Sequence, residues 1–286
     1  MHVSTTIADL TKHVAALRGQ GKRIAFVPTL GNLHAGHRQL MLDAQHHAQA
    51  IIASIYVNPL QFGANEDFGA YPRTPESDRQ MLEEVGVDLV FMPDDGQMYP
   101  RGRAAQTVVE VPGVSDILCG AHRPGHFRGV TTVVNRLFNL VTPDVALFGK
   151  KDYQQLLLIR LMVADLGLPV DIVGVDTVRA ADGLALSSRN AYLSAHERRV
   201  APQLYATLMA LRSRIMAAGS LPPGAETKAA QTLASAGFRP EYVSVQRQAD
   251  LAPPGPEDRK WVILAAAWLD RTRLIDNIEV DLNPVV

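Results

Sequence analysis

The feature that most restricts the fold is a repeated alternation of short, continuously apolar, β-branched runs with longer stretches of helical spacing. Ile24 to Val27 reads as a buried strand, Arg38 to Gln49 as a helix, and Ile51 to Val57 as a second strand that stops at Asn58-Pro59. A helix between two such strands is a crossover, so the strands run parallel. The pattern recurs: helix Thr74 to Glu84 leads into strand Asp88 to Phe91, helix Val130 to Leu140 into Val145 to Phe148, and helix Tyr153 to Leu166 into Val170 to Val175. Strands apolar at every position are covered on both faces. This predicts a doubly wound parallel α/β domain with its ligands at the C-terminal ends of the strands.

After about Thr177 the order changes to a helix from Ala195 to about Ala218, the breaker Leu221-Pro-Pro-Gly224, and a helix ending at Ala236. Strands then follow near Tyr242 to Gln246, Trp261 to Leu269 and Leu274 to Val280, with Pro253-Pro-Gly-Pro256 as a turn between two of them. Helices followed by strands predict a smaller α+β domain, so the expected division is 1–175 and 176–286. The length of 286 residues suits one or two domains.

Composition limits the partners. Apolar residues make up 47% and charged residues 20%, which removes disordered and fibrous readings. Lys plus Arg (28) nearly cancels Asp plus Glu (29), so no global field attracts nucleic acid or acidic lipid, and any anion site is local. The longest apolar run, Trp261 to Leu269, is far too short to span a bilayer, and Asp9, Lys12 and Arg18 interrupt the N-terminus where a signal peptide needs an apolar stretch. With Cys119 as the single cysteine, no intramolecular disulfide or cysteine metal cluster is possible; a cytoplasmic protein without membrane or nucleic-acid partners is expected.

The first strand runs directly into Pro28-Thr-Leu-Gly-Asn-Leu-His-Ala-Gly-His37, where a doubly wound sheet places its first phosphate loop. Gly31 and Gly36 permit close backbone approach, the following helix offers unpaired N–H groups, and His34 and His37 can donate to phosphate oxygens. Gly31 and Gly36 have Walker A spacing, but His37-Arg38 stand where that motif needs Lys and Ser or Thr. An HxxH pair alone is more often two polar loop residues; its position between glycines at a strand-to-helix turn is what favours anion binding. Zinc is the weaker reading, because no cysteine and no adjacent acidic residue accompany the pair.

The loop closely resembles the HxGH signature of the pantothenate synthetase (pantoate beta-alanine ligase) family of the HxGH nucleotidylyl-transferase superfamily. Further segments resemble the same family in the same order: Tyr56-Val-Asn-Pro-Leu-Gln-Phe62, Arg123-Pro-Gly-His-Phe-Arg-Gly129, Phe148-Gly-Lys-Lys-Asp-Tyr-Gln-Gln155 and Asp182-Gly-Leu-Ala-Leu-Ser-Ser-Arg-Asn190. The resemblance spans about residues 20 to 195. It implies a Rossmann-like domain binding ATP and pantoate, a C-terminal lid domain, a homodimer, and magnesium accompanying ATP. The implied reaction makes pantothenate through a pantoyl adenylate, releasing pyrophosphate and then AMP.

The resemblance also implies site residues. The ATP set is Leu30, Gly31, Asn32, Leu33, His34, Ala35, Gly36 and His37, then Gly149, Lys150, Lys151 and Asp152, then Val178 and Leu186, Ser187, Ser188 and Arg189. His34, His37, Lys151 and Arg189 are the expected catalytic groups, supplying donors and positive charge where negative charge accumulates. Lys150 stands where the family has Glu, so phosphate contact falls to Lys151 and Lys150 offers its backbone at most. Leu30 and Leu186 replace Met with little change of apolar volume. Gln61 and Gln155 correspond to the pantoate glutamines, and Gln61, Asn58 and Arg123 are expected on the beta-alanine side; metal ligands are not assigned. Two alternatives share the HxGH half: a nucleotidyl transferase acting on another acyl or phosphate substrate, and a nucleotide- or RNA-binding module. The two glutamine segments count against the first and the near-zero charge against the second.

Overall fold

The computed structural model describes residues 1–63 and 66–283. Its first sheet contains β1 (His2–Ser4), β2 (Ile24–Thr29), β3 (Ala50–Ile55), β4 (Leu89–Phe91), β5 (Val145–Gly149) and β6 (Asp171–Val175), all parallel, in the order β1-β4-β3-β2-β5-β6. The helices in chain order are α1 (Ile7–Gly19), α2 (Ala35–Ala44), α3 (Pro75–Glu84), the short α4 (Asp95–Met98) and α5 (Cys119–His122), α6 (His126–Val141) and α7 (Tyr153–Leu166). Phe26, Ile24, Ile52 and Leu147 are fully shielded from water, as expected for strands covered on both faces. Each such side chain contributes about 1.5–3 kcal/mol of transfer free energy.

The chain leaves β2 toward β3 on one side and returns through β5 on the other, so the order reverses between β2 and β5. β2 pairs with β3 from Ile24 to Thr29 but with β5 only at Ala25 and Phe26. Pro28, which has no N–H to donate, lies beyond the last β5 partner. The C-terminal ends of these neighbours therefore separate into the crevice where open α/β sheets bind ligands.

Contacts divide the chain into one unit of residues 1–150 and 155–176 and another of 151–154 with 177–286. The turn 151–154 thus groups with the C-terminal residues rather than with 1–175: Asn277 Nδ2 donates to the Lys151 carbonyl at 2.9 Å. The second unit holds α8 (Ala195–Val200), α9 (Gln203–Ala218), α10 (Ala225–Ser235) and an antiparallel meander of β7 (Phe238–Arg247), β8 (Lys260–Leu269) and β9 (Thr272–Asp281). Leu204, Leu208 and Leu211 of α9 and Leu233 of α10 pack on Trp261, Ile263 and Ala265 of β8.

Three features differ from the sequence expectation. The helix expected from Ala195 to Ala218 is two helices, because Pro202 cannot donate and caps α9 instead. The helix after the first strand starts at Ala35 rather than Arg38. The N-terminal residues form β1 and α1, two elements beyond those the sequence pattern announces; β1 is three residues long, too short to show a period.

Candidate active site

The loop after β2 is built for rigidity. Gly31 has φ +81°, and a Cβ there would lie 3.0 Å from Ile55 Cγ2 and 3.1 Å from Asp78 Oδ2, so only glycine fits without a shift. Thr29 Oγ1 accepts from the Gly31 N–H at 3.2 Å and donates to the Ser54 carbonyl at 2.7 Å. The buried carboxylate of Asp78, on α3, accepts the backbone N–H groups of Asn32 at 2.9 Å and Leu33 at 2.8 Å and the Thr74 hydroxyl at 3.0 Å.

His34 is the N-cap of α2, with extended backbone, and it forms a reciprocal cap with His37. Its Nδ1 accepts from the Gly36 N–H at 3.1 Å, while its own N–H donates to His37 Nδ1 at 3.2 Å. An Nδ1 that accepts carries no proton, so both neutral rings hold theirs on Nε2. The rings tilt at 47° with centroids 4.2 Å apart. The result is two Nε2–H donors beside the positive end of a helix, a donor set suited to a phosphate anion. It also leaves both Nδ1 atoms unsuited to metal ligation.

Gln61 lies just past β3, in the 3₁₀ turn Pro59–Gln61. Its Oε1 accepts from Asn58 Nδ2 at 3.1 Å, which aims the Gln61 amide N–H groups away from Asn58. Asn58 is fully buried, and its other amide hydrogen goes to the Gly129 carbonyl at 3.1 Å. Its Oδ1 accepts from the Leu60 N–H at 3.2 Å and the Tyr99 hydroxyl at 2.6 Å. Burial above all, and the charge of Asp95, push the Tyr99 pKa above the ordinary phenol value and keep it a donor. The turn rests directly on α6: a Cβ on Gly129 would stand 2.2 Å from the Leu60 carbonyl oxygen.

These contacts engage two residues expected on the beta-alanine side. Every hydrogen-bonding position of the Asn58 side chain is occupied within the chain, where it orients Gln61. Arg123 does not offer an unpaired cation for that substrate's carboxylate. Its Nε and Nη2 donate to the two oxygens of Glu66, each at 2.6 Å, Nη1 meets His126 Nε2 at 2.9 Å, and Nη2 reaches the Gln61 carbonyl at 3.3 Å. His126 Nδ1 lies 2.8 Å from the same carbonyl. Although burial raises the Glu66 pKa, the Arg123 guanidinium outweighs it and holds the carboxyl below its usual range.

Gly149 ends β5, and the 3₁₀ turn Lys150–Asp152 follows. Lys150 Nζ pairs with Asp176 at 2.8 Å. Gln155 lies in the first turn of α7 and is half-buried. In the second unit, Lys151 Nζ stands 3.8 Å from the half-exposed Asp152 carboxylate. Val178 accepts from the Leu186 N–H at 3.0 Å, and a bridge between Arg179 and Ala185 closes a hairpin that delivers Leu186, Ser187, Ser188 and Arg189. Ser187 caps the 3₁₀ turn Ser188–Tyr192 through the Arg189 N–H.

β9 holds both segments. Asp276, buried, receives Arg179 Nη1 at 2.6 Å and Nη2 at 2.8 Å, while the next residue, Asn277, holds the Lys151 carbonyl. Arg179 also donates to the Gly183 carbonyl at 3.1 Å and stacks on Tyr205, 3.6 Å from the ring centroid. Sequence reasoning missed Asp78, Tyr99, Glu66, Asp276 and Asn277. The sole local hint is Thr74, four residues before Asp78 at the start of a helix.

A family model described as pantoate-beta-alanine ligase matches residues 2–279 of this chain. A pantothenate synthetase of Stutzerimonas stutzeri is 54% identical over 283 residues, covering 99% of both proteins. The crystal structure of pantothenate synthetase from Thermus thermophilus superposes with a TM-score of 0.91 at 45% identity, over 99% of this chain and 100% of that one. The pantoate-beta-alanine ligase of Francisella tularensis, crystallised with beta-gamma ATP and beta-alanine, has a TM-score of 0.82 at 31% identity over 97% of each chain.

Proposed function

The chain belongs to the pantoate-beta-alanine ligase family, and from that premise we infer how its residues carry out the ATP-dependent condensation of pantoate with beta-alanine. A pantoate carboxylate oxygen attacks the α-phosphorus of ATP as the bond to pyrophosphate breaks. The beta-alanine amine then attacks the acyl carbon, loses a proton, and AMP leaves with both electrons of the acyl–oxygen bond. Both steps build negative charge on phosphate oxygens, so catalysis needs donors placed beforehand.

The observation that carries this reading is the reciprocal cap in which the Nδ1 atoms of His34 and His37 accept backbone N–H groups at the N-terminus of α2. In this reading the two histidines are catalytic, and Leu30 to Leu33, Ala35 and Gly36 shape the nucleotide loop. Lys151 and Arg189 are the cationic catalytic groups, with Ser187 and Ser188 as hydroxyl donors to the phosphates. Gly149, Lys150 and Asp152 line the ATP side through backbone or ribose contacts, and Val178 and Leu186 contact the adenine side. Gln61 and Gln155 bind pantoate, and Gln61 also faces beta-alanine. Residues 1–175 are then the ATP- and pantoate-binding domain and 176–286 the lid.

Magnesium is a hard ion that prefers oxygen ligands. The donor set fits an ion held by the ATP phosphates, with Asp152 the half-exposed carboxylate able to meet one of its waters. When bound, the ion neutralises phosphate charge. A homodimer, suggested by the family resemblance, and a cytoplasmic location, suggested by the single cysteine, complete the reading. No helix among the described residues is long and apolar enough to cross a membrane.

The test is exchange of labelled pyrophosphate into ATP with Mg²⁺ and pantoate but no beta-alanine. Exchange that requires pantoate is the expected result. A folded protein that binds ATP yet forms pantothenate without passing through exchange would overturn the adenylate route, and exchange driven by another carboxylate would overturn the substrate.

A further inference from the structure

Away from this site, among the described residues, three metal-competent side chains converge at the outer edge of the first sheet. One donor atom each from His2, Asp9 and His13 lies within 4.8 Å of the other two. We propose that His2, Asp9 and His13 bind a divalent transition-metal ion of the zinc or nickel class, separate from the ATP-associated ion, and that this ion fastens β1 to α1.

The spacing is close to what such an ion requires. Bonds of about 2.0–2.1 Å in a tetrahedron separate the ligand atoms by roughly 3.3 Å. His2 Nε2 stands 2.8 Å from Asp9 Oδ2, and His13 Nδ1 stands 3.3 Å from Asp9 Oδ1. Small side-chain rotations therefore make room for an ion in place of the present hydrogen bonds. The His13 Nδ1 proton, shared with the Asp9 carbonyl at 3.0 Å, moves to Nε2 when the ion takes its place.

The donors come from elements that fix their positions. Asp9 and His13 are one turn apart on α1, where residues i and i+4 share a face, and His2 projects from β1. Ser4 Oγ donates to Asp9 Oδ2 at 2.6 Å, the kind of outer contact that orients a ligating carboxylate. The two imidazole rings stack at 3.5 Å between centroids, tilted by 21°, and swing apart when both turn an in-plane nitrogen toward one ion. The three side chains are between 32% and 40% exposed, which gives an ion an entry path and water a place as further ligand. Two imidazoles and one carboxylate suit zinc, nickel or copper and suit magnesium or calcium poorly.

The consequence falls on the edge strand. β1 pairs with β4 at only three positions, and an edge strand held by so few bonds opens readily. An ion joining His2 to α1 ties that strand down.

The test is calorimetric titration of untagged protein with zinc chloride alone at about pH 7.5, without nucleotide, set beside the His2→Ala/His13→Ala variant. The wild type should bind one ion more than the variant and gain thermal stability on binding, while the variant gains none. Ser4→Ala should keep the stoichiometry and weaken binding about 10- to 100-fold. Equal stoichiometry and affinity in wild type and double variant overturns the proposal. Should the double variant not fold, paramagnetic Ni²⁺ added to wild type decides. Broadening of the His2 and His13 ring resonances before those of the exposed His46 and His47 supports the site, and the reverse order removes it.

Discussion

Two buried carboxylates, one in each unit, hold segments that carry candidate site residues, and they do so with different partners. Asp78 accepts two backbone N–H groups and a hydroxyl, all neutral, and through them fixes the loop leading into His34. Asp276 faces a guanidinium bidentately and through Arg179 fixes the hairpin leading into Ser187 and Arg189. Neutral donors can be rehydrated if the loop lifts, whereas a guanidinium stripped of its partner remains a charge in a poorly solvated place. The second unit's clamp is therefore the more costly to break, and the first unit's clamp governs where the reactive donors sit.

Asp276→Ala tests that contrast most severely. Removing one partner of a buried pair costs about 3–5 kcal/mol, and here Tyr205 and the Gly183 carbonyl remain to Arg179, so the lower end is expected. Urea unfolding should show the loss; a change under about 1 kcal/mol would mean that the ion pair is not what anchors the hairpin. On the other side of the comparison, His37→Ala should reduce pantoate-dependent pyrophosphate exchange about 10²- to 10³-fold while the protein stays folded. Loss of the reciprocal cap costs about 0.5–2 kcal/mol. Unfolding of this variant would make the histidine structural.

Asp78→Asn sharpens the distinction between holding and reacting. One carboxylate oxygen becomes an NH₂ that faces a backbone N–H, so a charge-assisted bond worth about 2 kcal/mol is lost. Because the displaced loop carries both histidines, kcat should fall about 10- to 100-fold with the KM for pantoate little changed. A rise in that KM with kcat intact would break the assignment.

Acidity separates a third carboxylate from these two. The Glu66 pKa is held down by Arg123, so the pair's stabilisation is fully present above the unfolded value near 4.3 and is lost as pH falls through the depressed folded value. Glu66→Gln should accordingly cost about 1.5 kcal/mol at pH 7 and progressively less below pH 4. A deficit that stays constant down to the acid transition would show that the pair's ionisation is irrelevant.

How much of this is legible in the sequence follows from distance along the chain. β2, β3 and β5 announce themselves as short, largely apolar runs, and α7 as a longer apolar stretch after β5, because those signals are local. The HxGH loop is legible as a loop, but α2 begins three residues before its expected start, since a histidine N-cap is no ordinary helix signal. The clamps are invisible for a different reason. Asp78 lies 46 positions from Asn32 and Asp276 lies 97 from Arg179, and nothing in either neighbourhood marks an aspartate as an acceptor for so distant a group. The same limit hides the partners of Asn58 and Arg123: both look like unclaimed polar groups until Tyr99, Gly129 and Glu66 arrive from other parts of the chain.

The smallest expected effect is the most discriminating about Gln61. The Tyr99 hydroxyl donates to Asn58 Oδ1, Asn58 Nδ2 donates to Gln61 Oε1, and the remaining Gln61 donors are those proposed to meet pantoate. Tyr99→Phe removes the first bond and leaves the ring, so stability should fall by only about 0.5–1.5 kcal/mol. Released on one side, the Asn58 amide can turn, and the Gln61 amide then loses the partner that fixes which of its ends faces outward. A pantoate hydroxyl or carboxylate that needs a donor would meet an acceptor part of the time, so the KM for pantoate should rise several-fold while that for ATP stays put. Equal shifts in both would mean that Tyr99 supports the sheet edge as a whole. A KM for pantoate unchanged in this variant but raised by Gln61→Leu would place Gln61 at the substrate and show that it holds its orientation without the relay.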